Sequence, residues 1–132
     1  MDLNKFTQKS LEAVKNAETI AVGNGNIEIA PEHLLLSLLK QENGLIPRIL
    51  DKMGKDINGM TIELDDYVNK MPKVSGPGRE AGKIYISTST DKIFVAALKE
   101  AEKLGDQFVS VEHLFVSFFV LSKKDYVVNL LN

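Results

Sequence analysis

The chain has 132 residues, of which 44% are hydrophobic and 26% are charged, as is typical of one compact domain with its own core. Sixteen Lys and Arg against eighteen Asp and Glu give a formal net charge of −2, which argues against a basic protein that coats nucleic acid. The absence of Cys excludes disulfides, thiolate zinc sites, iron–sulfur clusters and cysteine nucleophiles. Because the chain has only two His residues, it cannot supply a three-His site, and we expect no bound metal.

The N-terminus does not have the pattern of a secretory signal, because no basic stretch followed by an apolar run is present in its first residues. The longest apolar runs, at 34–39 and 114–121, are too short to span a bilayer. We therefore expect a cytoplasmic protein without a membrane partner.

The first half of the chain is predicted to form four helices. Apolar residues spaced by three and four predict a helix over 3–21, which the Gly-Asn sequence that follows should end. A second helix should begin near Pro31 and run to residue 39; it is apolar on nearly all sides and is therefore expected at the centre of the fold. Residues 45–53 predict a third helix, and the apolar pattern over 57–71 predicts a fourth.

The second half begins with a change in composition. Two Pro and three Gly between residues 72 and 83 disfavour regular structure and indicate a connector. Residues 84–86 are predicted to be briefly extended, and a fifth helix should start between positions 87 and 90. A sixth helix over 111–121, with Ser110 as its N-cap, and a seventh over about 125–131 complete the prediction. The chain shows no hairpin pattern, so the predicted fold class is all-α.

Two stretches of the chain resemble each other. The sequence Pro-Glu-His-Leu-Leu-Leu-Ser-Leu-Leu at 31–39 matches Val-Glu-His-Leu-Phe-Val-Ser-Phe-Phe at 111–119, at an offset of 80 residues. Upstream, residues 11–18 match 95–102 at an offset of 84, and three downstream apolar residues match at an offset of 81. The small changes in offset fall between the predicted helices.

These matches predict two tandem, pseudo-symmetric four-helix repeats within one globular domain. The first repeat should cover residues 1–71, a Gly/Pro-rich linker 72–86, and the second repeat 87–132. The second repeat lacks a counterpart of the fourth helix. We therefore expect the sequence to be part of a longer protein.

The repeated pairs Glu32-His33 and Glu112-His113 are the first candidates for catalysis. A zinc-protease helix needs a second His four residues further on, and neither copy has one. A structural interpretation is favoured, in which each Glu complements the dipole of a first helical turn and each His packs or hydrogen-bonds locally. An enzyme remains conceivable only as a metal hydrolase that uses all four residues.

The chain contains no motif for phosphate binding or acyl transfer. The Gly-rich stretches at 23–26 and 76–82 lack the Gly-Lys-Ser/Thr ending of a phosphate loop, and no Ser lies in a nucleophile elbow. We therefore expect no catalytic residue and no cofactor bound by this chain.

The segment from 105 to 112 has two possible interpretations. In the structural one, Asp106 makes a turn, Phe108 is a core residue and Glu112 complements a helix dipole. In the functional one, the two carboxylates form an acidic rim beside an apolar groove, suited to extended peptides with basic and apolar side chains. Composition alone favours the structural interpretation.

The doubled helical unit, the two Glu-His-Leu motifs and the sequence Leu-Gly-Asp-Gln-Phe-Val-Ser at 104–110 resemble the Clp N-terminal repeat domain. This domain precedes the ATPase modules of Hsp100 AAA+ chaperones. The resemblance covers essentially the whole chain, and residues 3–7 and 71–76 are most similar to the disaggregase branch. The protease-associated branch is the alternative.

The resemblance implies a non-enzymatic module that recruits unfolded or aggregated polypeptides. It also implies that adaptor proteins and the AAA+ modules of the same parent chain are partners, and that ATP is bound by those modules and not by this chain. The sequence contains no Walker motif, in agreement with that division of labour.

Polar positions of the family's substrate-contact site match Thr7, Asp106 and Glu112, which favours the acidic-rim interpretation. Phe94 is expected to form part of the adjacent apolar groove. One departure from the family is that His113 stands where some disaggregase members have an apolar residue. This substitution reduces the apolar character expected at that point of the groove.

Overall fold

A computed structural model describes residues 3–73 and 85–132, and helices dominate both ranges. The α-helices are α1 (Gln8–Gly23), α2 (Pro31–Lys40), α3 (Leu45–Lys52), α4 (Ile57–Asn69), α5 (Thr88–Lys103), α6 (Val111–Ser117) and α7 (Tyr126–Leu131). Two short strands, β1 (Glu28–Ile29) and β2 (Tyr85–Ile86), and two 3-10 turns, Leu3–Lys5 and Phe118–Val120, complete the described structure. The all-α prediction is confirmed. Most of the connector predicted over 72–83 lies outside the described residues.

Helix α2 lies at the centre of the molecule, as its composition predicts. All residues from Pro31 to Leu39 are buried, and α2 packs mainly against α1 and α4. Pro31 begins the helix because its fixed φ suits a first turn and its missing N–H leaves no donor unsatisfied there. No helix within the described ranges is long and apolar enough to cross a membrane.

The first helix begins later than the apolar periodicity predicts. Thr7 ends the extended segment with φ −65° and ψ 162°, and its side chain accepts a hydrogen bond from the Ser10 N–H, which fixes the start of α1 at Gln8. The residues before it form only the 3-10 turn Leu3–Lys5. The sixth helix is likewise shorter than predicted, since α6 ends at Ser117 and a 3-10 turn follows.

Two parallel backbone contacts join the first half of the molecule (residues 3–73) to the second (residues 85–132). Ile86 of β2 pairs with Ile29 of β1, and Phe6 pairs in the same parallel sense with Val109. The Thr7 N–H donates to the Val109 carbonyl at 2.9 Å, and the Ser87 N–H donates to the Ile29 carbonyl at 3.2 Å. The segment before the first helix of each half is therefore held by the segment that follows the first helix of the other half.

Equivalent features of α1 and α5 are 80 residues apart. Both helices have 16 residues, with N-caps Thr7 and Ser87. Each is followed by a glycine with positive φ, 76° at Gly25 and 73° at Gly105, a conformation that residues with a Cβ rarely adopt. The offset of 84 predicted for this helix is therefore wrong by about one turn, because a shift of four residues preserves the apolar pattern. The division into two repeats stays a prediction, and these equal spacings support it.

Candidate functional site

Two cavities meet at the N-terminus of α6. The larger, called here the α5–α6 groove, has a volume of about 510 Å³. It is lined by Glu100, Leu104, Asp106, Gln107, Phe108, Ser110, Glu112, His113 and Val116. The smaller, of about 230 Å³, lies where α1, α3 and α6 begin. Ser110 and Glu112 line both cavities.

The α5–α6 groove presents apolar side chains to solvent. Leu104 is 61% exposed, Phe108 45% and Val116 49%. Apolar side chains grouped around a concave surface are typical of sites that bind a partner, whereas scattered ones are ordinary. The core role that the structural interpretation gives Phe108 is therefore wrong.

Leu104 and Val116 line the groove, although the sequence pattern did not predict them there. Leu104 is the C-cap of α5, and Val116 lies on α6 away from the buried positions Val111 and Leu114. An apolar residue outside the buried face of a short amphipathic helix is a signal that could have revealed Val116.

Acidic groups surround the apolar part of the groove. Glu100, Asp106 and Glu112 line it, and no Lys or Arg occurs among its described lining residues. The local charge therefore favours a ligand with basic groups, although the whole chain is nearly neutral.

His113 connects the Asp106 carboxylate to the backbone at the start of α6. The Ser110 N–H donates to Nδ1 of His113 at 2.9 Å, so the proton of a neutral ring lies on Nε2. Nε2 in turn lies 2.9 Å from Oδ2 of Asp106, to which it donates. His113 is 7% exposed, whereas half of the Asp106 side chain is open to solvent.

The same arrangement occurs in the first half of the chain, at a buried position. The Ala30 N–H donates to Nδ1 of His33 at 2.8 Å, and Nε2 of His33 lies 2.9 Å from Oδ1 of Asn26. Burial lowers the pKa of His33 from its ordinary 6.5 to about 4. Glu32, in the first turn of α2, is also buried, and this burial raises its pKa.

The hydrogen bonds of His33 and His113 confirm that each His bonds locally. Within the described ranges, no group of three or more His, Asp or Glu side chains is placed to hold a metal ion.

Thr7 lines the smaller cavity and not the α5–α6 groove. Its hydroxyl accepts from the Ser10 N–H at 3.2 Å and donates to the Ser10 hydroxyl at 2.9 Å. The structure therefore brings Thr7 together with Glu112 in one cavity and Asp106 together with Glu112 in the other. Binding of substrate by these three residues stays a prediction.

The prediction that Phe94 lines the groove is wrong. Its side chain is fully buried and packs edge-on against Phe6, with ring centroids 5.9 Å apart and an interplanar angle of 82°. The apolar periodicity of α5 places Phe94 on the core-facing side of that helix, where an aromatic ring contributes to packing.

The fold agrees with a comparison to known families. Residues 5–131 match the model of the Clp repeat (R) N-terminal domain, so the chain belongs to the Clp N-terminal repeat domain family. The crystal structure of the Hsp104 N-terminal domain from Candida albicans has the same fold, with a TM-score of 0.79. It is 15% identical to this chain, and the match covers 96% of this chain and 79% of that one.

The relatives of this chain include chaperones named ClpB. The chain is 42% identical over 118 residues to the chaperone protein ClpB of Bacillus anthracis, covering 89% of this chain and 14% of the relative. It is 44% identical over 115 residues to ClpB of Nitratidesulfovibrio vulgaris, covering 87% of this chain and 13% of the relative. The chain thus spans about one seventh of the length of these relatives, and only their N-terminal domain is matched.

Proposed function

We propose that this chain is the N-terminal, substrate-recruiting domain of a ClpB-like ATP-dependent disaggregase. Its α5–α6 groove binds exposed segments of unfolded or aggregated polypeptides. The observation that carries the proposal is the combination, in one open cavity, of exposed Leu104, Phe108 and Val116 with several carboxylates. The relatives named ClpB support the same assignment.

The two kinds of groups in the groove have different tasks. Contacts with the apolar side chains supply most of the affinity, because a partner's apolar surface leaves water there. Asp106 and Glu112 select and orient basic side chains of the bound segment. Affinity is modest, since an unfolded partner loses conformational entropy when it is ordered, and modest affinity permits release to the next module.

This chain contains no Walker motif. ATP hydrolysis is therefore assigned to modules outside it. The role of this domain is to raise the local concentration of unfolded substrate near those AAA+ modules. The proposed division requires no catalytic residue, metal or cofactor in the domain itself.

A pair of labelled peptides tests the proposed ligand chemistry. The first is unstructured and combines Leu and Phe with Lys and Arg; in the second, Glu replaces each basic residue. Fluorescence anisotropy should show saturable binding of the first and at least about tenfold weaker binding of the second, because like charges would meet at the rim. Equal binding of both would contradict the acidic-rim assignment.

Point variants test the location of the site. Phe108→Ala and Glu112→Gln should each weaken binding of the basic peptide about three- to tenfold. Val95→Ala and Glu18→Gln are the matched controls, because both side chains are exposed but lie outside the groove lining. If the groove variants bind like the controls, the substrate binds elsewhere.

The alternative is an adaptor- and substrate-docking N-domain of a ClpC- or ClpA-like protease-associated unfoldase. A domain of that kind would bind a folded adaptor in preference to unfolded peptides. Binding of the basic peptide that survives competition by folded proteins supports the ClpB-like assignment, whereas tight binding of a folded adaptor alone supports the alternative.

A further inference from the structure

His113 occupies a position from which it can control the geometry of the proposed site. One ring nitrogen accepts from the backbone at the start of α6, and the other donates to the Asp106 carboxylate that lines the α5–α6 groove. We propose that His113 is a positioning residue that holds the Asp106 carboxylate in the orientation that receives a basic side chain. This inference rests on the proposed function of the groove.

Asp106 needs such a partner because it lies on the loop between α5 and α6. Its backbone N–H is fixed by a 2.8 Å hydrogen bond to the Ala101 carbonyl, but its side chain is half open to solvent. A free carboxylate there would sample several rotamers, and each bound substrate would have to order it. The bond to His113 removes that freedom in advance and still leaves acceptor capacity for a second donor, since a carboxylate offers about four lone-pair sites.

In the first half of the chain the equivalent His makes the same hydrogen bond to an uncharged side chain. Asn26 and His33 have the same spacing and the same 2.9 Å contact, but Asn26 is uncharged and only 3% exposed. There the bond fixes the loop before α2, and the Asn26 Nδ2 also donates at 3.0 Å to the Pro72 carbonyl, so both contacts of the amide are structural. In the second half the same bond ends on a charged group in an open groove, so the loop-fixing contact also orients a binding group.

The proposed role does not require a positive charge on His113. A neutral ring donates from Nε2 while Nδ1 accepts from the Ser110 N–H, and both contacts are present in the structure. The other charged groups lining the cavity are the carboxylates of Glu100 and Glu112. A neutral donor therefore orients Asp106 without cancelling the negative potential that attracts a basic ligand.

Two substitutions of His113 separate positioning from general stability. In His113→Gln the amide oxygen can accept from the Ser110 N–H and the amide NH₂ can donate to Asp106, so both contacts are imitated. In His113→Glu one oxygen can accept from the same N–H, but the other repels Asp106. The added negative charge would by itself favour a basic peptide, so weaker binding by this variant cannot be explained by charge alone.

The measurement is anisotropy with the basic peptide, together with urea unfolding of each variant. We expect His113→Gln to bind the peptide within about twofold of the unaltered domain. His113→Glu should bind it about five- to tenfold more weakly, because neighbouring groups in one hydrogen-bond network are energetically coupled. His33→Gln is the matched control: it changes the same bonds in the first half and should leave peptide affinity unchanged. Asp106→Asn should keep the His113 bond, as Asn26 does, and lose affinity through charge alone.

Nitrogen-15 NMR of the imidazole rings tests the same contact without any substitution. His113 should show the Nε2–H tautomer, and its Nε2 resonance should shift when the basic peptide is added. An Nδ1–H tautomer, or a folded His113→Glu variant that binds as tightly as the unaltered domain, overturns the inference while leaving the proposed function intact. Absence of peptide binding by the unaltered domain overturns the proposed function and this inference with it.

Discussion

The two halves of the molecule use one local device in two environments. In each, a His at the third position of a helix accepts from the N-cap backbone and donates to a side chain seven residues earlier. His33 and Asn26 are buried, whereas Asp106 is open to solvent. A hydrogen bond that shapes a loop can therefore become part of a binding surface when its acceptor, as at Asp106, is charged and exposed.

The helices that carry these His residues are also tied to the fold differently. The Ser37 hydroxyl on α2 donates to the Ala13 carbonyl on α1 at 2.6 Å, which links two helices. The Ser117 hydroxyl on α6 donates at 2.7 Å to the His113 carbonyl within its own helix. The Ser37 bond therefore ties α2 to another helix of the core, whereas the equivalent Ser117 bond stays within α6.

The largest expected difference between the halves is the loss of stability when each His is replaced. His33→Leu removes the ring that accepts from the buried Ala30 N–H and donates to Oδ1 of Asn26, and should reduce the free energy of unfolding by about 2–5 kcal/mol. His113→Leu should reduce it by only about 1 kcal/mol, because water can solvate Asp106 and the main loss is a helix cap. Urea unfolding of both variants measures this, and equal losses would contradict the distinction drawn between the halves.

The pH dependence of stability should be dominated by His33. Its folded pKa of about 4 lies below its ordinary 6.5, so the unfolded chain binds the proton more readily and stability is lost as pH falls from about 6.5 towards 4. The loss from this group is at most about 3 kcal/mol. The raised pKa of Glu32 acts in the opposite direction, because the folded state binds that proton more readily.

Urea unfolding at several pH values should therefore show a smaller decline at acid pH for His33→Gln than for the unaltered domain. The variant removes the titrating ring and leaves Glu32 in place. An unchanged acid dependence would mean that another group controls it.

A smaller difference is expected between Ser37→Ala and Ser117→Ala. Loss of the buried link from α2 to α1 should cost about 1–2 kcal/mol, since a well-formed buried hydrogen bond disappears. Loss of the bond within α6 should cost about 0.5 kcal/mol or less, because Ala compensates through its higher helix propensity. Thermal unfolding of the two variants gives the comparison, and a larger loss for Ser117→Ala would contradict it.

Local pattern predicted the helices well because each helix carries its own periodicity and punctuation. Pro31 and the apolar run after it predicted α2 and its central position, and Ser110 marked the start of α6. The start of α1 was predicted too early, because the hydrogen bonds of Thr7, and not the apolar pattern, decide it.

Features that depend on packing between distant segments were harder to predict. Two-residue strands are too short to show a period, so the pairing of Ile29 with Ile86 has no local signal. Phe94 was predicted in the groove but is buried, and Phe108, a core residue in one of the two interpretations, is exposed. Residue type alone does not distinguish an aromatic core residue from an exposed one. Asp106 and Glu112 were candidates from the local sequence and were favoured by the family resemblance, whereas Glu100 of the groove was not identified.

The two parallel contacts between the halves make the lengths of α1 and α5 depend on each other. Helix α1 runs from the Phe6–Val109 contact to the Ile29–Ile86 contact, and α5 runs back between the same two points. Each helix therefore acts as a spacer of about 24 Å, at 1.5 Å for each of its 16 residues. An insertion of one turn in either helix alone would separate one pair of contacts by about 5 Å, so a change of length has to occur in both helices together.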